Sequence, residues 1–123
     1  MTKIASLYSV VLDTPEPKAL AEFYAAVLDW KITRAEDDWV TITDGGDRRI
    51  AFQLAPDHRP PRWPDPEHPQ QFHLDLLVDD VDRAEEQVLA LGATKAEYQP
   101  PDATDFRVYL DPSGHPFCLV WED

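Results

Sequence analysis

Apolar and polar positions along this chain fall into two successive series with the same order. Residues 4–12, IASLYSVVL, are rich in β-forming side chains and predict a strand. DTPEP interrupts it, and Pro17 suits the first turn of a helix, where its missing N–H would have no partner anyway. Across 18–28 the apolar residues Leu20, Phe23, Tyr24, Val27 and Leu28 make one helical face. WKITRAE, DWVTITD and RRIAFQLA then read as three short strands, with DGGD at 44–47 as the turn between the last two.

Residues 55–70, APDHRPPRWPDPEHPQ, carry six of the chain's 12 prolines. Neither a helix nor a central strand tolerates that density, so the segment reads as a linker or a lid.

The order then repeats. QFHLDLLV predicts a strand. DVDRAEEQVLALG predicts a helix with Val81, Ala84, Val88 and Leu91 on one side and Gly92 as its stop. TKAEYQ, DFRVYLD and HPFCLVW supply three more strands, with DPSG as the last turn. Each half is strand, helix, strand, strand, strand. Laid over each other, Ser9 matches His73 and Glu16 matches Asp80, both at a shift of 64, while FQL at 52–54 matches FCL at 117–119 at a shift of 65. Neither half alone has enough core to bury its sheet, so the expectation is one α+β domain over 1–123: module one at 1–55, a proline-rich loop at 56–70 and module two at 71–123.

Composition narrows the function classes. A hydrophobic fraction of 43% supports a core. The formal net charge of −13 opposes binding to nucleic acid, which needs a basic surface, and to anionic membranes, whereas it favours a cationic ligand. The single cysteine, Cys118, permits no intramolecular disulfide, and the N-terminal stretch lacks a signal-peptide core. The expectation is a cytoplasmic protein.

SVVLDTPEPKALAEFYAAVLDW, HLDLLVDDVDRAEEQVLALGA and YLDPSGHPFCLVW together resemble the vicinal oxygen chelate superfamily, which includes glyoxalase I, bleomycin-resistance proteins and extradiol dioxygenases. The match covers nearly the whole chain and is nearest to small glyoxalase-like proteins. The resemblance implies two paired βαβββ modules forming a curled mixed sheet around a cavity, and a homodimer. It also implies a metal pattern in some members, with one His, Glu or Gln ligand on the first and last strand of each module.

Strand alternation places side chains independently of the family. Phe72, Leu74, Leu76 and Val78 share a helix-facing side, opposite His73, Asp75 and Leu77. Ser9 opposes Tyr8, Val10 and Leu12; Gln53 opposes Phe52 and Leu54; Cys118 opposes Phe117 and Leu119. Ser9, Gln53, His73 and Cys118 thus lie on the non-helix face, at the positions of the superfamily's metal pattern. A serine hydroxyl stays protonated and is a poor ligand; Gln offers a carbonyl, His a ring nitrogen, and Cys a thiolate for a soft metal. With no carboxylate among the four, the expectation is no metal and no other cofactor.

Asp75 shares the cavity face with His73, about 6–7 Å away along the strand. It is expected either to orient the imidazole, giving a catalytic His73–Asp75 pair for acid–base work, or to pair structurally with an arginine such as Arg107. Cys118 reads as a buried, inert thiol. His58 and His68 fall in the proline-rich loop and His115 in the final turn; a cluster of His68, Glu67 and Asp65 on a loop lacks fixed geometry. Trp63 is expected to fold over the cavity or onto a partner subunit, with Trp39 and Tyr109 as further aromatic surface.

The expected function is a small-molecule-binding protein with a metal-free cavity, its ligand touching Ser9, Gln53, His73, Asp75, Cys118 and Trp63, with modest acid–base catalysis within reach. The alternatives are a metal-dependent lyase, isomerase or dioxygenase acting on vicinal oxygens, and a protein sequestering a cationic drug.

Overall fold

The computed structural model describes residues 3–62, 64–69, 72–101 and 103–122. The chain divides into two compact units, residues 1–58 and 59–123.

The first unit runs β1 (Val10–Thr14), α1 (Pro17–Leu28), β2 (Lys31–Glu36), β3 (Trp39–Thr43) and β4 (Arg49–Leu54). Its sheet has the order β1-β4-β3-β2, with β1 parallel to β4 and the other pairs antiparallel. Pro17 opens α1, and Asp29 closes it in the left-handed conformation at φ 57°. The helix face buries Leu20, Ala21, Phe23 and Tyr24, and the sheet answers with Val40, Ile42, Ile50 and Phe52. The last four form two cross-strand pairs, Val40 with Phe52 and Ile42 with Ile50, and the Tyr24 ring stacks on Phe52 at 5.9 Å. Burial of each large side chain contributes roughly 1.5–3 kcal/mol.

The second unit runs β5 (Leu74–Leu77), α2 (Val81–Ala90), β6 (Thr94–Lys95), β7 (Phe106–Leu110) and β8 (Pro116–Val120). Its sheet has the order β5-β8-β7-β6, again with the first strand parallel to the last. Each half is thus a βαβββ module with its own four-stranded mixed sheet. The two residues matched at a shift of 64, Glu16 and Asp80, are both helix N-caps. Asp80 does the capping chemistry, its Oδ1 accepting from the Arg83 N–H at 3.2 Å, whereas Glu16 makes no side-chain cap.

Three strands differ from the sequence expectation. The first begins at Val10 and extends to Thr14, beyond the predicted end at 12; Thr14 is fully buried and its Oγ1 accepts from the Glu16 N–H. TKAEYQ pairs as a strand only at Thr94 and Lys95, because the Gln99 side chain takes over the backbone partners: Nε2 donates to the Ala96 and Val108 carbonyls, and Oε1 accepts from the Val108 N–H. The fifth strand starts at Leu74, so Phe72, expected on the helix face, stands exposed.

The DPSG turn is organised by Asp111. Its buried carboxylate accepts from the Ser113 and His115 N–H groups, and His115 Nδ1 lies 2.8 Å from its Oδ2. Gly114 there has φ 89°, and a Cβ at that position would meet Pro60 of the proline-rich loop at 2.5 Å.

Candidate functional site

β5 and β8 run side by side in parallel, with Leu74 opposite Phe117, Asp75 opposite Cys118 and Leu76 opposite Leu119. Phe117 and Leu119 are buried. Asp75 and Cys118 point to the opposite side, together with Val108 and Phe106 of β7 and Val120 of β8. His73, immediately before β5, adds its ring to this side. The result is a cavity of about 300 Å³ whose wall is apolar at Phe106, Val108 and Val120 and polar at His73, Asp75 and Asp105.

His73 Nε2 lies 3.2 Å from Asp75 Oδ1. Cys118 is buried, and that burial, together with the charge of Asp75 and a hydrogen bond to it, pushes the thiol up to about 12. The thiol therefore stays protonated and donates to Asp75. Asp75 thus stands between the two, with the imidazole Nε2 at 3.2 Å and a hydrogen bond from the thiol.

The same three residues answer the question of a metal. The donor atoms of His73, Asp75 and Cys118 all lie within 4.8 Å of one another. A nitrogen, an oxygen and a sulfur donor with a fourth position open is a set that zinc accepts, so the residues fit a divalent ion. Binding would require Cys118 to give up a proton that its surroundings hold firmly. Strand alternation identified His73 and Cys118 as candidates; the role of Asp75 as a third donor was not part of that reading.

The other residues fall elsewhere. Arg107, the expected structural partner of Asp75, lies on the helix side of β7, where it binds Asp82 at 3.0 Å and Glu85 at 3.4 Å. Alternation explains this, since Arg107 neighbours the cavity-facing Val108. Tyr109 also faces the helix: it is fully buried, and its hydroxyl donates to Glu85 Oε1 at 2.6 Å. Burial and Glu85 raise the phenol above its usual range, while Tyr109, followed by Lys95 and Arg107, holds Glu85 below the usual carboxylate range. In the loop, His68 Nδ1 lies 3.3 Å from Asp65 Oδ2 and the Glu67 N–H caps Asp65, a local turn. Trp63 lies outside the described residues.

Ser9 belongs to a concavity of the first unit, of about 420 Å³, together with Tyr8, Val11, Trp39, Arg49 and Ala51. Gln53 is exposed on β4, opposite Asp13. Val11 is paired with Ala51, so Gln53 is two rungs further along than Ala51. In the second unit Cys118 is paired with Asp75, the residue two beyond His73. The strands of the first module are thus offset by two residues relative to the alignment of the two halves. An even offset preserves the face but separates Ser9 from Gln53.

The comparisons with known proteins agree with this architecture. A family model described as a glyoxalase-like domain matches residues 9–120. No curated protein matches the chain. Among solved structures, a glyoxalase/bleomycin resistance protein/dioxygenase family enzyme from Burkholderia phytofirmans PsJN is 22% identical with a TM-score of 0.72, over 95% of this chain and 98% of that one. The bleomycin-binding protein of Streptomyces verticillus, solved with copper(II)-bleomycin, is 15% identical with a TM-score of 0.61, over 100% of both chains. A fosfomycin resistance protein from Mesorhizobium loti is 18% identical with a TM-score of 0.67, over 96% of this chain and 92% of that one. At these identities the likeness is one of fold.

Proposed function

The chain belongs to the glyoxalase-like domain family, and from that premise we propose that its second module binds an uncharged or cationic small molecule without a resident metal. The observation that carries this reading is the His73–Asp75 contact of 3.2 Å at the polar end of an otherwise apolar cavity. Apolar walls with a few convergent polar groups are what a small-molecule site requires. Among the described residues the ionisable lining includes Asp75 and Asp105 and neither lysine nor arginine, so this wall repels anions and tolerates cations. His73, beside Asp75 at 3.2 Å, is the group that would exchange a proton or hydrogen bond with a ligand hydroxyl, which is the basis for modest acid–base catalysis. Structural relatives named for bleomycin binding and fosfomycin resistance support a small-molecule ligand. The same reading takes the protein as a cytoplasmic homodimer, supported by its single cysteine and by exposed apolar side chains such as Leu7 and Leu77.

The test is a titration with catechol, a thiohemiacetal mimic and a cationic glycopeptide, followed by histidine ring NMR signals and melting temperature. One class saturates the His73 signals, and its affinity falls in His73→Ala. Unchanged binding by the variant removes the pocket from the reading.

A metal-dependent lyase, isomerase or dioxygenase is the second reading, and the convergence of His73, Asp75 and Cys118 favours it. These residues would hold the ion, and a divalent ion there would polarise the vicinal oxygens of a substrate. Elemental analysis decides: a stoichiometric ion in the wild type that disappears in Cys118→Ala selects this reading over the first.

A further inference from the structure

We propose that the first module carries a binding site of opposite preference, for a small aromatic carboxylate held by Arg49. In a chain of net charge −13, the concavity of the first unit is lined, among the described residues, by two arginines and by no Asp or Glu. The two arginines are not equivalent. Arg34 is committed to Glu36, with Nε donating to Oε1 at 3.0 Å and Nη2 to Oε2 at 3.1 Å. Arg49 has no ion pair among the described residues. It is fixed instead from above and behind: its guanidinium sits 4.1 Å over the Tyr8 ring, and Nη1 donates to the Tyr8 carbonyl at 2.7 Å. Such a guanidinium is preorganised, and its remaining N–H groups lie in the fork that matches a carboxylate.

A second donor stands in the same wall. Trp39 Nε1 donates to Thr41 Oγ1 at 3.1 Å, which occupies a lone pair of that hydroxyl and leaves its own proton for an acceptor. Ser9, by contrast, spends its proton on the Val10 carbonyl at 3.1 Å. The indole of Trp39 and the ring of Tyr8 supply flat apolar surface beside these donors. The volume of about 420 Å³ accommodates a ring as well as its carboxylate. Among the described residues, it shares with the ligand set expected from the sequence only Ser9, and it uses neither His73, Asp75 nor Cys118.

Calorimetric titration of the full chain at low ionic strength, with benzoate and separately with inorganic phosphate, tests the assignment. Benzoate binds saturably at one site, and Arg49→Gln weakens it by about tenfold or more, the scale of a lost charge-assisted pair. Arg49→Lys recovers only part of the affinity, because an ammonium lacks the fork. Arg48→Gln removes the same charge from the neighbouring residue and leaves benzoate binding unchanged. Should Arg49→Gln melt early, Thr41→Val carries the test, with weakened benzoate binding expected. Absence of saturable benzoate binding, an equal loss in Arg48→Gln, or saturation by phosphate but not benzoate would overturn the proposal.

Discussion

The Tyr109 hydroxyl donates to Glu85 Oε1 across 2.6 Å, joining the buried face of β7 to helix α2. Removing the hydroxyl in Tyr109→Phe leaves the ring stacked on Phe117 and deletes one hydrogen bond to a charged group, at a cost of about 1.5–3 kcal/mol in urea unfolding. Glu85 is held below its ordinary range, so it contributes stability above the unfolded carboxylate value that is lost as pH falls through the lowered one. Acid unfolding of Tyr109→Phe therefore follows a flatter pH dependence than that of the wild type.

Cys118 works in the opposite direction. Its value rises from 9.0 to about 12 in the fold, chiefly through burial, so its contribution is complete below pH 9 and is lost as pH rises from 9 through 12. The stability difference between the wild type and Cys118→Ala should shrink across that interval. At neutral pH, alkylation by iodoacetamide is slow in the native protein and quickens in Asp75→Asn, which removes a charge that opposes the thiolate.

The equivalent helix caps predict unequal losses. Asp80→Ala forfeits a formed cap and destabilises by about 1 kcal/mol. Glu16→Ala removes a side chain that caps nothing and leaves the urea midpoint close to that of the wild type.

Gly114→Ala meets two obstacles, a φ of 89° and Pro60 at 2.5 Å. A loss of about 1–2 kcal/mol is expected from the backbone alone. Pro60→Gly in the same chain restores the part due to contact, which a double-mutant cycle of melting temperatures measures.

Chelator treatment separates the two functional readings in another way. Dialysis against EDTA leaves both ligand affinity and melting temperature unchanged for a metal-free pocket. A drop in either that zinc restores would mark His73, Asp75 and Cys118 as a metal centre.

Strand faces were legible in the sequence because alternation carries them: His73, Asp75 and Cys118 share a side, and Leu74, Leu76, Phe117 and Leu119 take the other. Both helices were legible from the spacing of Leu20, Phe23 and Tyr24 and of Ala84 and Val88. The pairing between distant strands was not, since no local feature of FQL says whether Gln53 stands beside Val11 or Asp13. The partner of Arg107 was hidden for the same reason: choosing between Asp75 and Asp82 requires knowing which side of β7 the arginine leaves. Gln99 ended a predicted strand by replacing backbone partners with an amide, a substitution that β-propensity does not register.

The two-residue offset between the modules sets a rule for transplantation. Copying the His–Asp–Cys cluster into the first module by sequence shift would put the thiol at Gln53, two rungs or about 7 Å from where it is needed. Pairing instead maps Asp75 onto Val11 and Cys118 onto Ala51, and His73 onto Ser9. All three positions already line the concavity of the first module. A twin of the cluster would be written Ser9→His, Val11→Asp, Ala51→Cys, with residues exchanged rung for rung and not letter for letter.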